Sequence, residues 1–443
     1  MKIKYLYLLL LSVILLSSCG EKNVKQPSRE LDTKMNQLAE QYVKLILKLG
    51  QFDPDYVDAY YGPEEWKPGS TFSADSTALK HLDAETDALL DSMEAFGKYD
   101  ADEMQSLRFR FLAKELLAVK TKIYMLEGGK LSFDQESKAL YDAEAPHITE
   151  DYFQKILNEL DKFLPGRGNV TDRLESFRKQ FIIPKDKLDK VFTAAITECR
   201  NRTLDHIKLP PNENFRVEYV NDKPWSGYNW YKGNSYSVIQ VNTDLPVYID
   251  RAVDLAAHEG YPGHHVYNLL LEKNLVRQRG WVEFSVYPLF SPQSLIAEGT
   301  ANFGIEMSFP GDSRIKFEKE VLFPAAGLDS SQADEYYHVL KLVDTLNYAG
   351  NEAARNYLDS IWTKTEAVNW MQKYELMSKD RAEKRISFID KYRSYVINYN
   401  LGKDIVKEYV ERKGGTVDNI SKRWEIFEYL LSTPQTPSGL QQR

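Results

Sequence analysis

Three of the chain's seven histidines, His258, His264 and His265, fall within a window of eight residues, and Glu259 directly follows the first. Neutral imidazoles are the commonest protein ligands for zinc, and a carboxylate beside one is the usual base for a water that a metal has acidified. Between the histidines lies the pair Pro262-Gly263, a turn signal rather than a helical one. Residue types and spacing together point to metal-dependent hydrolysis.

The stretch Tyr248 to Ala257 is apolar on one face and runs straight into His258. Helical ligands three or four residues apart share a face, but the position four after His258 is Pro262. Proline lacks an amide donor and crowds the carbonyl four residues back, so the spacing predicts a kink or an end near His258. Two extra residues taken up as a bulge would bring His264 to the place of the second ligand. In an unbroken helix His265 would share the face of His258, but about 10 Å further along the axis. His264 is therefore preferred, with His265 as the alternative ligand or a supporting residue. A third ligand is expected from Ser294 to Glu306, where Glu298 lies well placed and Asn302 could hydrogen-bond a ligand from behind. Glu306 is either a further supporting group or a surface charge. Glu259 cannot easily point where His258 points, which leaves it the role of general base.

The string from His258 to His265 looks like the His-Glu-x-x-His of zinc peptidases, stretched by two residues. Together with Leu295-Ile296-Ala297-Glu298-Gly299-Thr300-Ala301-Asn302-Phe303-Gly304-Ile305-Glu306 it resembles the bacterial family called domain of unknown function 885. That family is grouped with the gluzincin metallopeptidases, whose helical members are typified by thimet oligopeptidase and angiotensin-converting enzyme. The resemblance spans roughly residues 35–415 and is sharp over 255–268 and 294–307. It implies a Zn2+ cofactor held by His258, His264 and Glu298, with Glu259 as base. More loosely, Tyr392-Arg393 to Tyr399-Asn400-Leu401-Gly402 resembles the family's closing Tyr-x-x-Gly segment, which implies Tyr399 as the donor to the oxyanion. Thr300 stands where tryptophan is common, and a Pro-Gly-Gln segment before the last tyrosine is missing. Tyr395, Tyr287 and His338 are further candidates for that donor. The strand-like run Tyr236 to Asn242 could pair with an extended peptide, and Arg393 or another cation could hold a terminal carboxylate.

Helices must position these groups. Met35 to Gly50 places Leu38, Tyr42, Val43, Leu45, Ile46 and Leu49 at helical spacing before a glycine stop. Ala101 to Glu127 predicts a long amphipathic helix, and Ser132 with Gln135 predicts a capping box. Tyr152 to Phe163 and Lys185 to His206 follow. Alternating and β-branched runs over 213–244 predict a small sheet, and helical periodicity resumes at Tyr248. The expected fold is mostly α: a large helical metallopeptidase-like unit with a small antiparallel β-sheet next to the active-site helix. Residues 35–431 form that unit (helical 35–212, sheet 213–244, metal-site helices 247–310, helical 311–431), and 432–443 a polar tail.

Lys2 and Lys4 precede an apolar run, Tyr5 to Leu16, too short to cross a hydrocarbon core of about 30 Å. Leu16-Ser17-Ser18-Cys19-Gly20 resembles the lipobox of bacterial lipoproteins. It implies a signal peptide over 1–18, lipidation of Cys19, a tether over 19–34, and anchoring at the cell envelope. Only Cys199 would then remain, so no internal disulfide is expected, and its helical setting suggests a buried structural thiol. A net charge of −8 without a basic block argues against nucleic acid. The sum is a zinc-dependent hydrolase, most simply a metallopeptidase acting on short peptides. Hydrolysis of a non-peptide amide or a non-catalytic, metal-binding surface lipoprotein are the alternatives.

Overall fold

A computed structural model describes residues 29–96, 102–223 and 225–442, with side chains from residue 32 onward. The expected signal peptide, Cys19 and most of the tether lie outside the described residues. The first helix, Arg29–Leu49, takes in the last part of that tether. All six apolar positions read from its spacing are buried, because a stripe at a period of 3.6 residues has one face to bury. The long helix Ser76–Ala95 follows, and then Glu103–Leu126, where the Asp102 carboxylate accepts from the Gln105 amide. Ser132 and Gln135 form the expected capping box ahead of Phe133–Tyr141, an arrangement that stabilises a helix start by about 1 kcal/mol. Cys199 is buried in the helix Leu188–Leu204, and burial pushes its thiol pKa well up, as suits a structural residue.

The chain is mostly helical, and the expected small sheet lies against the segment that carries the histidines. It has three strands: β2 (Asn214–Val220), β3 (Gly227–Tyr231) and β4 (Tyr236–Asn242). β3 and β4 pair antiparallel, and β2 joins the other side of β4 in parallel. β4 is thus the central strand, and its backbone groups are taken on both sides. The edges of this sheet belong to β2 and β3, which corrects the expectation that Tyr236 to Asn242 could pair with a peptide.

A second, two-stranded sheet joins distant parts of the chain. It pairs β1 (Val57–Tyr60) with β5 (Val286–Pro288), antiparallel and with an irregularity between Val57 and Ala59. Strands of three or four residues carry too little alternation to be read from sequence. The polar tail also packs: Thr436 caps the short helix Pro437–Gln441, and Leu440 is buried. Among the described residues no helix is long and apolar enough to cross a membrane.

Two helices carry the centre of the molecule. Pro292–Ser308 bears Glu298, and Ile397–Arg412 crosses it so closely that a Cβ on Gly299 would lie 2.4 Å from the Gly402 carbonyl oxygen. Glycine at the crossing lets the backbones touch, and that contact brings Tyr395 and Tyr399 up to Glu298.

Candidate metal centre

The segment carrying the first histidine begins as the α-helix Asp250–Leu255 and widens into a π-turn, Ala256–Gly260. The Tyr261 amide donates to the Ala256 carbonyl, and the Gly263 amide reaches back to Ala257. These long-span bonds absorb the two extra residues, as the bulge reading expects, and a new helix starts at His264. Gly263 is required here, since a Cβ would lie 1.9 Å from the His258 carbonyl oxygen.

The turn brings His258 Nε2 and His264 Nε2 to 3.1 Å. Glu298 Oε2 lies 3.3 Å from His258 Nε2, and Glu298 Oε1 lies 3.8 Å from His264 Nε2. The three residues form a candidate metal site, with ligand atoms within 4.8 Å of one another. Donors each roughly 2.0–2.2 Å from one tetrahedral zinc would stand about 3.3–3.6 Å apart, so the spacing fits. Glu298 Oε2 is buried and has no hydrogen-bond partner, which a cation would satisfy.

Neighbours orient these ligands. His258 Nδ1 faces Asn302 Oδ1 at 3.1 Å, so Nδ1 donates and Nε2 is free to ligate. Asn302 in turn donates to the Tyr399 carbonyl at 3.0 Å, and the Tyr395 hydroxyl donates to Glu298 Oε1 at 2.8 Å. Burial works against a charge on His258, but Glu298 and Glu259 outweigh it and raise its pKa. Burial pushes His264 down to about 4, keeping it neutral. Glu298 is held below its usual range despite its burial, chiefly by the His258 ring that faces it.

Glu259 is buried at the edge of this cluster. Among the described residues no side chain or amide hydrogen-bonds its carboxylate, although Asn229 Nδ2 donates to its backbone oxygen at 2.6 Å. Burial raises it to about 7, with His258 opposing and Glu298 adding. A carboxylate of that kind accepts a proton readily near neutral pH.

His265 does not join this cluster, which corrects its place as the alternative. Its ring is fully buried on the far side of the segment, with Nε2 3.2 Å from Glu213 Oε2 and Nδ1 2.8 Å from Ser237 Oγ. Both nitrogens are spent. Glu213 also takes the Tyr261 hydroxyl at 2.6 Å and the Arg200 guanidinium at 2.5 Å. The network locks the back of the turn.

The remaining candidates separate clearly. Tyr399 stands with its ring 5.7 Å from Tyr395, and burial followed by Glu298 holds its phenol well above the ordinary value. Its hydroxyl has no partner among the described residues, whereas Tyr395 is spent on Glu298 and Tyr287 bonds Ser294 Oγ at 3.3 Å. His338 is exposed, with its ring against Phe163 and no contact with the cluster. Arg393 donates to Glu136 at 2.6 Å and is not free for a carboxylate. Glu306 is an ion-pair partner, bound by Lys403 at 3.0 Å and Lys407 at 2.9 Å.

Asp58 was not legible as a site residue. It sits on β1 and accepts from the Tyr228 hydroxyl of β3. Burial raises it to about 6, with Tyr228 opposing and Glu298 adding. Nothing in a four-residue strand some two hundred positions from the histidines signals this.

A mostly helical unit with a three-residue candidate metal site is thus the class that fold and site define. No family model matches the chain, and no curated protein does. A candidate lipoprotein from Colwellia psychrerythraea shares its fold, with a TM-score of 0.52 and 14% identity over 85% of this chain and 70% of that one. A carboxypeptidase from Pyrococcus furiosus aligns over 92% of both chains with a TM-score of 0.43 and 11% identity. A candidate lipoprotein of unknown function from Shewanella oneidensis aligns over 80% of this chain and 72% of its own, with a TM-score of 0.41 and 13% identity.

Proposed function

We propose that this protein is a zinc-dependent hydrolase that cleaves short peptides, with His258, His264 and Glu298 as ligands and Glu259 as general base. The observation that carries the reading is the convergence of two imidazole nitrogens on one buried carboxylate, of which one oxygen accepts no hydrogen bond, beside a second carboxylate that no other described group hydrogen-bonds. When bound, the ion supplies Lewis acidity, acidifying a water and polarising a carbonyl. Three protein ligands leave a position open, as catalytic rather than structural zinc sites do. Glu259 takes the proton of the attacking water and returns it to the leaving amine. The free Tyr399 hydroxyl donates to the oxygen on which charge develops, while Tyr395 and Asn302 hold Glu298 and His258 in place. The segment ending in Cys19 supports a lipid anchor at the cell envelope, and the lipoprotein name of the Colwellia chain agrees with it.

The test compares metal content and peptide-library cleavage for wild type and Glu259→Gln, both starting after Cys19. One zinc in each, with cleavage reduced by about 10²–10⁴-fold or more in the variant, is the expected result. Zinc in both with no cleavage by either would replace the peptidase with a non-peptide amidase or a binding protein. No zinc in either would end the metal reading.

A further inference from the structure

Asp58 is a carboxylate in the candidate active site that neither the ligand set nor the base role uses. Its place follows from two contacts. On one side the Tyr228 hydroxyl donates to Asp58 Oδ1, and the neighbouring Gly227 lies against the base, where a Cβ would stand 3.0 Å from Glu259 Oε1. On the other side β1 pairs with β5 through Ala59 and Tyr287, and the Tyr287 hydroxyl bonds Ser294, one helical turn before Glu298. Asp58 is therefore held between the strand that touches the base and the strand that touches the ligand helix.

The charges there do not balance. Asp58, Glu259 and Glu298 together carry three negative charges when ionised, and a divalent ion offsets two. Asp58 Oδ2 has no hydrogen-bond or ion-pair partner among the described residues. Of the cations that act on Asp58 and Glu259, Arg251 pairs with Asp254 at 3.0 Å, and Lys232 lies 5.3 Å over the Trp230 ring without an ion pair to Asp58. The Tyr228 ring at the free edge of β3 is flanked by Trp225 at 5.4 Å and Trp230 at 4.6 Å. A carboxylate with one open oxygen beside a group of aromatic rings is a setting that selects cations, by charge and by ring quadrupole.

We propose that Asp58, together with the Tyr228 ring, binds a cationic nitrogen of the substrate, so that the site prefers peptides carrying an ammonium group near the scissile bond. This rests on the peptidase reading and names its substrate class. The ammonium has two sources, a free peptide N-terminus or a lysine side chain.

The zinc-loaded protein and its Asp58→Asn variant are titrated calorimetrically, and assayed for cleavage, with Ala-Ala-Ala against its N-acetylated form. In a second arm, N-acetyl-Ala-Lys-Ala-amide is compared with its norleucine counterpart. In wild type the charged member of at least one pair binds roughly tenfold or more tightly, and the arm that discriminates names the source. In Asp58→Asn the charged member loses far more affinity than the neutral one, so that the difference vanishes. Equal binding within both pairs by wild type overturns the proposal without recourse to any variant. An Asp58→Asn variant that weakens charged and neutral peptides alike also overturns it. Discrimination without cleavage keeps the cation site and removes the peptidase reading, and cleavage without discrimination does the reverse.

Discussion

Asn302 Oδ1 lies 3.1 Å from His258 Nδ1, while the amide nitrogen of the same side chain donates to the Tyr399 carbonyl at 3.0 Å. One residue thus fixes which nitrogen of His258 faces Glu298 and ties the ligand helix to the helix that carries Tyr399. Asn302→Ala should weaken zinc binding by about 10–100-fold, since the ring loses the partner that sets its tautomer and orientation. Asn302→Asp keeps an acceptor and should stay nearer to wild type. Competition with a chromogenic chelator measures both, and unchanged affinity in Asn302→Ala would remove the residue from the site. Tyr395→Phe, which frees Glu298 Oε1, should act in the same direction.

Gly263→Ala should cost stability and metal together. Its Cβ would stand 1.9 Å from the His258 carbonyl oxygen and 2.4 Å from that of Ala257, both backbone atoms that cannot rotate away. Relief requires the π-turn to open, at about 3 kcal/mol or more, and opening separates His258 from His264. Urea unfolding and zinc content should both fall. Gly69→Ala, whose nearest neighbour would be 4.0 Å away, serves as the control and should change neither. A stable, zinc-loaded Gly263→Ala protein would show that the turn does not depend on this contact.

Acid should loosen the back of the turn before it reaches the rest of the core. Burial alone would raise Glu213, but hydrogen bonds from His265, Tyr261 and Arg200 hold it at about 2 against an ordinary 4.5. Burial lowers His265 below its ordinary 6.5, although Glu213 opposes this. Both groups hold protons less tightly folded than unfolded, so both contribute stability at neutral pH that is lost on acidification. The His265 share should begin to fall near pH 6.5 and the Glu213 share, roughly 3 kcal/mol by its shift, below about pH 4.5. Urea titrations from pH 7 to 3 with a chelator present, which removes the effect of metal release, follow both. Glu213→Gln should be less stable at pH 7 and show a flatter acid limb. An equally steep limb in the variant would place the acid sensitivity elsewhere.

Much of the candidate site was legible along the chain because its signals are local. A histidine beside a glutamate, a proline where a helical ligand should stand, and a glutamate and an asparagine one turn apart all act within a few residues, and so do the capping box at Ser132 and the apolar stripe before Gly50. Such features follow from hydrogen-bond reach and helical period alone. Tertiary packing decided the rest. His264 rather than His265 joins Glu298 because the turn is pinned from behind by Glu213, Ser237 and Arg200, residues far from it in sequence. β4 is closed to a peptide because β2 folds back onto it in parallel. Asp58 reaches the site only through the pairing of β1 with β5 and the bond from Tyr228. In each case the deciding contact joins segments whose separation carries no periodic trace, so only the folded chain could show which groups meet.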